Sequence, residues 1–128
     1  MLDPRDRVVM VSGATRGIGR AVLERLLAVG YAVSAGVRDP ARLPPRERLS
    51  VHRFDAATRA DAQAWVDATM ARHGRVDAVV NAAGINTRGT LLEDGESAFD
   101  ATFDVNAKGP MRVIRAAWPH LVAARAAW

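Results

Sequence analysis

The sequence predicts an α/β fold, a doubly wound parallel sheet, on three observations. Short apolar runs at residues 8–12, 31–37, 49–54 and 76–80 are separated by longer stretches whose apolar residues recur at helical spacing. A glycine-rich turn with Gly13, Gly17 and Gly19 joins the first run directly to the first helical stretch. The resulting order, βαβ followed by βαβ, makes the strands parallel and the crossovers right-handed.

Each element has its own local reason. Residues 8–12 carry Val8, Val9, Met10 and Val11, a short buried strand. Residues 17–29 place Ile18, Val22, Leu26 and Val29 along a helix, and Gly30 suits its C-cap. Residues 31–37 form the second strand. Pro40, Pro44 and Pro45 break residues 39–48 into a loop without regular structure. Residues 49–54 alternate as a third strand. Thr58 with Asp61 resembles a capping box, followed by a helix with Ala62, Val66 and Met70 on one face and Gly74 at its end. Residues 76–80 are the fourth strand, and Asn81, Ala82, Ala83 and Gly84 make the next turn. A long helix starts at Asn106. Ala107, Met111, Ile114, Trp118 and Leu121 give it one apolar stripe, suited to packing on the sheet or to a second copy of the chain. Pro110 falls within its first turn, and Pro119 should bend it near Arg115.

At 128 residues and 49% hydrophobic composition, the chain is one domain or part of one. The net charge of +4 comes from basic residues scattered from Arg5 to Arg125, and Lys108 is the only lysine. That distribution reads as a solvated arginine-rich surface, not a nucleic-acid site. With no cysteine there is no disulfide framework, and His52, His73 and His120 make no metal-ligand pattern. They read as surface or helix-capping histidines. No apolar run is long enough for a membrane span and the first residues lack a signal-peptide core, so a cytoplasmic location is expected.

The chemistry concentrates where strands end. Strand, glycine turn and helix together place a dinucleotide pyrophosphate on a helix N-terminus. The glycine loop, Arg38, Asp55 and Asn81 all fall at strand carboxyl ends, the edge where parallel sheets bind ligands. Four such features on one edge predict a cofactor cleft.

Four elements carry a resemblance: Ser12-Gly13 with Gly17 and Gly19; Asp55-Ala56; Asn81-Ala82-Ala83-Gly84; and Asn106 within Asp-Val-Asn-Ala-Lys-Gly. In their order and spacing the chain resembles the N-terminal half of the short-chain dehydrogenase/reductase family, from Arg7 onward. Ser12 stands for the family's usual threonine and Ala82 for its second asparagine. The resemblance implies a Rossmann-type sheet, ordered third, second, first, fourth, truncated after the long helix that follows the fourth strand. Residues 1–128 are then a single cofactor-binding domain, and residues 76–80 become an exposed, aggregation-prone edge. By resemblance, Gly13, Thr15, Arg16, Gly17, Ile18 and Gly19 wrap the pyrophosphate. Asp55 contacts the adenine or serves as a turn carboxylate. Asn81, with Ala82 and Gly84, stands by the ribose or holds its own loop.

An acid at the end of the second strand selects the ribose 2′-hydroxyl of NAD, and an arginine accommodates the 2′-phosphate of NADP. Here the family's acidic position is Val37, followed by Arg38, with Arg16 in the glycine loop. Asp39 lies about twenty residues after Gly19, the offset of a ribose-binding acid. Two guanidiniums outweigh that one carboxylate, so NADP(H) is expected over NAD(H). The implied reaction is hydride transfer between a carbonyl and an alcohol on a small-molecule substrate, in a homo-oligomer when full length. The family's catalytic tyrosine, the lysine four residues later and the serine have no match here. The sole tyrosine, Tyr31, has Ala35 four residues on, and only Asn106, the proton-relay asparagine, is present. The chain is therefore expected to hold the cofactor half and to be inactive alone. A non-catalytic NADP-binding or interaction module is the alternative. Sugar-nucleotide epimerases are disfavoured by the glycine spacing. Residues 85–94 offer one wall of a substrate pocket that the sequence does not specify.

Overall fold

In the computed structural model, described for residues 3–90, 92, 93 and 95–125, four parallel strands form one sheet. They are β1 (Val8–Ser12), β2 (Ala32–Val37), β3 (Leu49–Arg53) and β4 (Ala78–Val80), in the order β3-β2-β1-β4. Val9 pairs with Val33 on one side and Ala78 on the other, so β1 lies in the middle and all of it is buried. β4 pairs with β1 alone among the described residues, and its three residues are only half-buried. The expected order holds. The second, third and fourth strands are each trimmed by one or two residues relative to their apolar runs.

The period-two alternation of strand side chains divides the core. Val9, Val11, Val33 and Ala35 face helix α1 (Gly17–Val29), meeting Leu23 and Leu27. Met10 points the other way, toward helices α2 (Asp61–His73) and α4 (Gly109–Arg125), where Trp65, Val66, Val113 and Ala117 are buried. Helices on both faces define the doubly wound layering. On the second face, Trp65 lies flat over Gly36, where a Cβ would come within 2.8 Å of the indole. Burying this ring contributes roughly 2–3 kcal/mol. Its polar atoms form a closed chain: Thr69 donates to the Trp65 carbonyl, Ser34 to Thr69, and the Trp65 indole N–H to Ser34. A fully satisfied buried network of this kind costs no orphaned donor.

Several expectations are corrected. In α1 the fully buried line is Gly19, Leu23 and Leu27; Val22 and Leu26 flank it, and Ile18 is 81% exposed. The capping box does not form. α2 starts at Asp61 itself, whose carboxylate accepts from the Asp55 N–H at 2.9 Å instead of reaching Thr58. The proline-broken loop contains one 3₁₀ turn, Pro40–Arg42, because Pro40 at its first position needs no N–H partner.

The last helical segment is longer than expected. Helix α3 (Gly95–Phe103) precedes it, and a π-helical turn, Asp104–Lys108, links α3 to α4. Asn106 thus lies inside this turn, not at a helix start. The stripe of Met111, Ile114 and Trp118 faces outward, while Gly109, Val113, Ala117 and Ala124 face the sheet. The contact there is too tight for larger residues: a Cβ on Gly109 would sit 3.0 Å from the Ala56 methyl. α4 continues through Pro119. Among the described residues no helix is long and apolar enough to cross a membrane.

Candidate cofactor site

The carboxyl edge of the sheet opens into a cleft of about 610 Å³. It is built where β1 and β4 stop side by side. Beyond β1, Gly13 turns back with φ +65°, and a Cβ there would lie 2.8 Å from the Ala82 carbonyl oxygen and from Ala83 backbone atoms. Only glycine lets these two turns touch. Ser12, buried directly before it, ties them together: its Oγ accepts from the Ala82 N–H at 3.0 Å and the Ala83 N–H at 3.1 Å. A side-chain acceptor is thus needed at this position, and the serine hydroxyl supplies it.

The glycine turn then delivers α1 with its N-terminus facing the cleft. Arg16 is the N-cap residue but makes no side-chain cap bond, and the first turn of α1 contains no acid. The first N–H groups of this 13-residue helix therefore have no side-chain acceptor of their own. That is the arrangement in which a phosphate fits: open donors, the positive end of a helix dipole, and Gly17 adding no atom to the space. Gly13, Thr15, Arg16, Gly17, Ile18 and Gly19 all line the cleft.

The other candidates arrive from three directions. Arg38 follows β2 and lines the cleft, its carbonyl accepting from Arg53 Nη1 at 3.1 Å. Asp55 follows β3 and also lines it, with Oδ1 accepting from the Ala57 N–H at 3.0 Å. That bond makes Asp55 a turn carboxylate in this structure. Ala82, Ala83, Gly84 and Ile85 form the wall beyond β4. Asn81, half-buried, directly follows β4 and precedes that wall, and Asn106 lies in the π-helical turn behind it. Of residues 85–94, Ile85 lines the cleft, whereas Leu91 and Asp94 lie outside the described residues.

Asn106 acts on that wall from behind. Its Oδ1 accepts from the Ile85 N–H and its Nδ2 donates to the Ile85 carbonyl, both at 2.8 Å. Gly84 permits the approach, since a Cβ would stand 3.2 Å from Asn106 Oδ1. The amide is therefore occupied on both sides. Its main-chain carbonyl differs: the residue four positions on is Pro110, which has no N–H to complete an α-helical bond.

Several site residues lay outside the sequence reading. Arg42 lines the cleft along with Arg16 and Arg38, so three arginines contribute to its lining. Its signal was its spacing, four residues after Arg38 on a turn. Arg112 of α4 donates to the Ala56 carbonyl at 3.0 Å and to Asp104 Oδ1 at 2.7 Å, bracing the Asp55–Ala56 corner. The Arg112 hydrogen bond holds the Asp104 carboxyl below its usual range. Away from the cleft, His73 and His52 both hydrogen-bond Ser50 Oγ, at 2.8 and 3.0 Å. Burial lowers both imidazole pKa values, and for His73 the charges of Arg72 and His52 add to the effect.

Comparison with known proteins agrees with this geometry. Residues 7–127 match the family model for short chain dehydrogenases. Agropine synthesis reductase of Rhizobium rhizogenes is 35% identical over 120 residues, 89% of this chain and 28% of that protein. The short-chain reductase protein NovJ of Streptomyces niveus is 36% identical, over 91% of this chain and 48% of its own length. A metagenomic short-chain oxidoreductase solved in complex with NADP superposes with a TM-score of 0.87 at 32% identity, covering 96% of this chain and 60% of that one. The chain thus spans between 28% and 60% of the length of these relatives. With that match across nearly all its residues and a cleft at the expected sheet edge, the chain belongs to the short-chain dehydrogenase/reductase family.

Proposed function

We propose that this chain is the NADP(H)-holding part of an oxidoreductase that transfers hydride between a carbonyl and an alcohol. The observation that carries the reading is the cleft itself: uncapped N–H groups at the start of α1 on one side, and Arg16, Arg38 and Arg42 on its border. The N–H groups of the glycine turn would hold the pyrophosphate, and the guanidiniums would take the 2′-phosphate, which carries close to two charges. Asp55 and the wall at residues 82–85 would bound the adenosine and ribose, with Asn81 supporting that wall from within β4's turn. When bound, a reduced nicotinamide would supply a proton and two electrons together as hydride to the carbonyl carbon, with a separate proton going to the oxygen to give the alcohol.

For that proton, Asn106 offers its main-chain carbonyl as the seat of a relay water, because its amide is engaged by Ile85. The residue that would protonate the substrate oxygen is not among these residues. The single tyrosine, Tyr31, precedes β2 and lacks a lysine four positions later. These 128 residues would accordingly bind cofactor without turnover. A second reading, a non-catalytic NADP-binding module, shares the cofactor site but predicts no hydride transfer by the whole protein.

Titration with NADPH and NADH tests the cofactor reading. NADPH should bind more tightly. Arg38→Asp should weaken NADPH at least about tenfold, the equivalent of one charge-assisted hydrogen bond, and shift the preference toward NADH. Unchanged NADPH affinity in Arg38→Asp rejects the role. A screen of the whole protein with ketones and NADPH separates the enzyme from the binding module.

A further inference from the structure

The acid after β2 sits at the offset of a ribose ligand, yet its geometry gives it another task. Asp39 has an extended backbone, φ −124° and ψ 97°, and its Oδ1 accepts from the Ala41 N–H at 3.1 Å. It is the cap of the 3₁₀ turn Pro40–Arg42, whose first position is filled by Pro40. The turn is closed by two main-chain bonds, Arg42 N–H to the Asp39 carbonyl at 3.2 Å and Leu43 N–H to the Pro40 carbonyl at 3.1 Å. Leu43 follows at once and is 1% exposed, buried in the core shared with α1. Arg42 is therefore fixed between a capped start and a buried anchor. It is exposed and lines the cleft with Arg16 and Arg38.

We infer that Asp39 is a positioning residue for cofactor choice: by capping this turn it presents the Arg42 guanidinium to the 2′-phosphate. It neither binds a ribose hydroxyl nor sets the preference through its charge. The inference rests on the NADP(H) reading above and deepens it. Three physical consequences separate it from the two rival roles. A ribose ligand would support NADH binding. A bare negative charge near the site would oppose NADPH, so its removal would strengthen binding. A cap acts only through the residue it positions, and an amide oxygen caps as well as a carboxylate.

The experiment is a fluorescence titration of NADPH and NADH on the whole protein in five forms: wild type, Asp39→Ala, Asp39→Asn, Arg42→Ala, and the Asp39→Ala, Arg42→Ala double variant. Asp39→Ala should weaken NADPH about five- to tenfold, in keeping with loss of a cap worth roughly one such factor, and leave NADH unchanged. Asp39→Asn should retain wild-type NADPH affinity. In the Arg42→Ala background, Asp39→Ala should have no further effect, the signature of coupled residues. Tighter NADPH binding by Asp39→Ala, a loss of NADH binding, or an undiminished Asp39→Ala effect without Arg42 overturns the inference. If wild type prefers NADPH and Asp39→Ala does not differ from it, the positioning role fails alone. If wild type takes NADH as tightly as NADPH, the cofactor reading fails and this inference falls with it.

Discussion

Replacing Ser12 with alanine removes one oxygen and leaves two main-chain donors, Ala82 and Ala83, without the acceptor they now share at 3.0 and 3.1 Å. Ser12 is 1% exposed, so water cannot take its place without opening the β1–β4 seam. An orphaned buried donor costs about 1–3 kcal/mol. Ala82 and Ala83 are only half-buried, however, and movement of their turn toward the cleft would let water recover part of that loss. A net destabilisation of about 2 kcal/mol follows, or a melting temperature lowered by about 7 °C for a domain of this size. Thermal and urea unfolding of Ser12→Ala and Ser12→Thr measure it. Threonine restores the acceptor and should stand nearer wild type than alanine does. The cofactor should also bind Ser12→Ala more weakly, since the displaced turn is a wall of the cleft. Ser12→Ala unfolding within about 0.5 kcal/mol of wild type, the scatter of a neutral surface change, would refute the claim that this hydroxyl joins the two turns.

Three further outcomes follow from other contacts. Gly17 has φ +58° with no atom within 4 Å of an added Cβ, so Gly17→Ala should cost only about 1–2 kcal/mol of left-handed strain. Because that methyl enters the cleft, cofactor affinity should fall further than stability does; equal binding by the two proteins in a titration would argue against phosphate at this turn. Arg112→Ala should lower stability by about 1–2 kcal/mol through the lost bond to the Ala56 carbonyl, read by urea unfolding; an unchanged midpoint would mean the brace carries nothing. The last concerns pH. The folded pKa values of His52 and His73 are lowered by burial, so the unfolded chain takes up protons first as pH falls. Their contribution to stability is complete above the ordinary histidine range and is lost as pH drops through it toward the lowered values. Melts from pH 8 to pH 5 should show that decline, and His52→Gln with His73→Gln should flatten it; an undiminished slope in the double variant places the protons elsewhere.

What the sequence made legible was local or fixed by chirality. Gly13, Gly17, Gly19 and Gly30 each answer a need set by nearby residues, so α1 and its turn fall where the spacing put them. Strand order came from the family resemblance; right-handed crossovers alone fix the hand of each connection and not the order of the strands. The orientation of α4 was not legible, because that helix carries two apolar stripes and the larger one is outside. Sheet-side space beneath it is narrow, with Gly109 against Ala56, and admits only small residues such as Ala117. Hydrophobicity alone ranks Met111, Ile114 and Trp118 above them and cannot say which stripe meets the sheet. α3 escaped for a related reason: Phe99 and Phe103 stack on each other with centroids 6.1 Å apart and stay exposed, so no stripe points to the core.

The site shows a deeper limit of residue type as a guide. Three carboxylates stand near the cleft, and each accepts a main-chain N–H: Asp39 from Ala41, Asp55 from Ala57, and Asp61 from Asp55. All three build the loops that follow β2 and β3. An acid at a ligand-binding offset and an acid at a turn-building offset are the same letter in a sequence, and the distinction arises only when the following N–H groups turn toward the side chain. Where they do, as after Pro40, the carboxylate's hydrogen-bonding capacity is directed inward. One such bond leaves the carboxylate its charge and further acceptor sites, so Arg16, Arg38 and Arg42 line the cleft alongside Asp39 and Asp55. What such a cleft can hold thus depends as much on what occupies its acids as on which bases surround it.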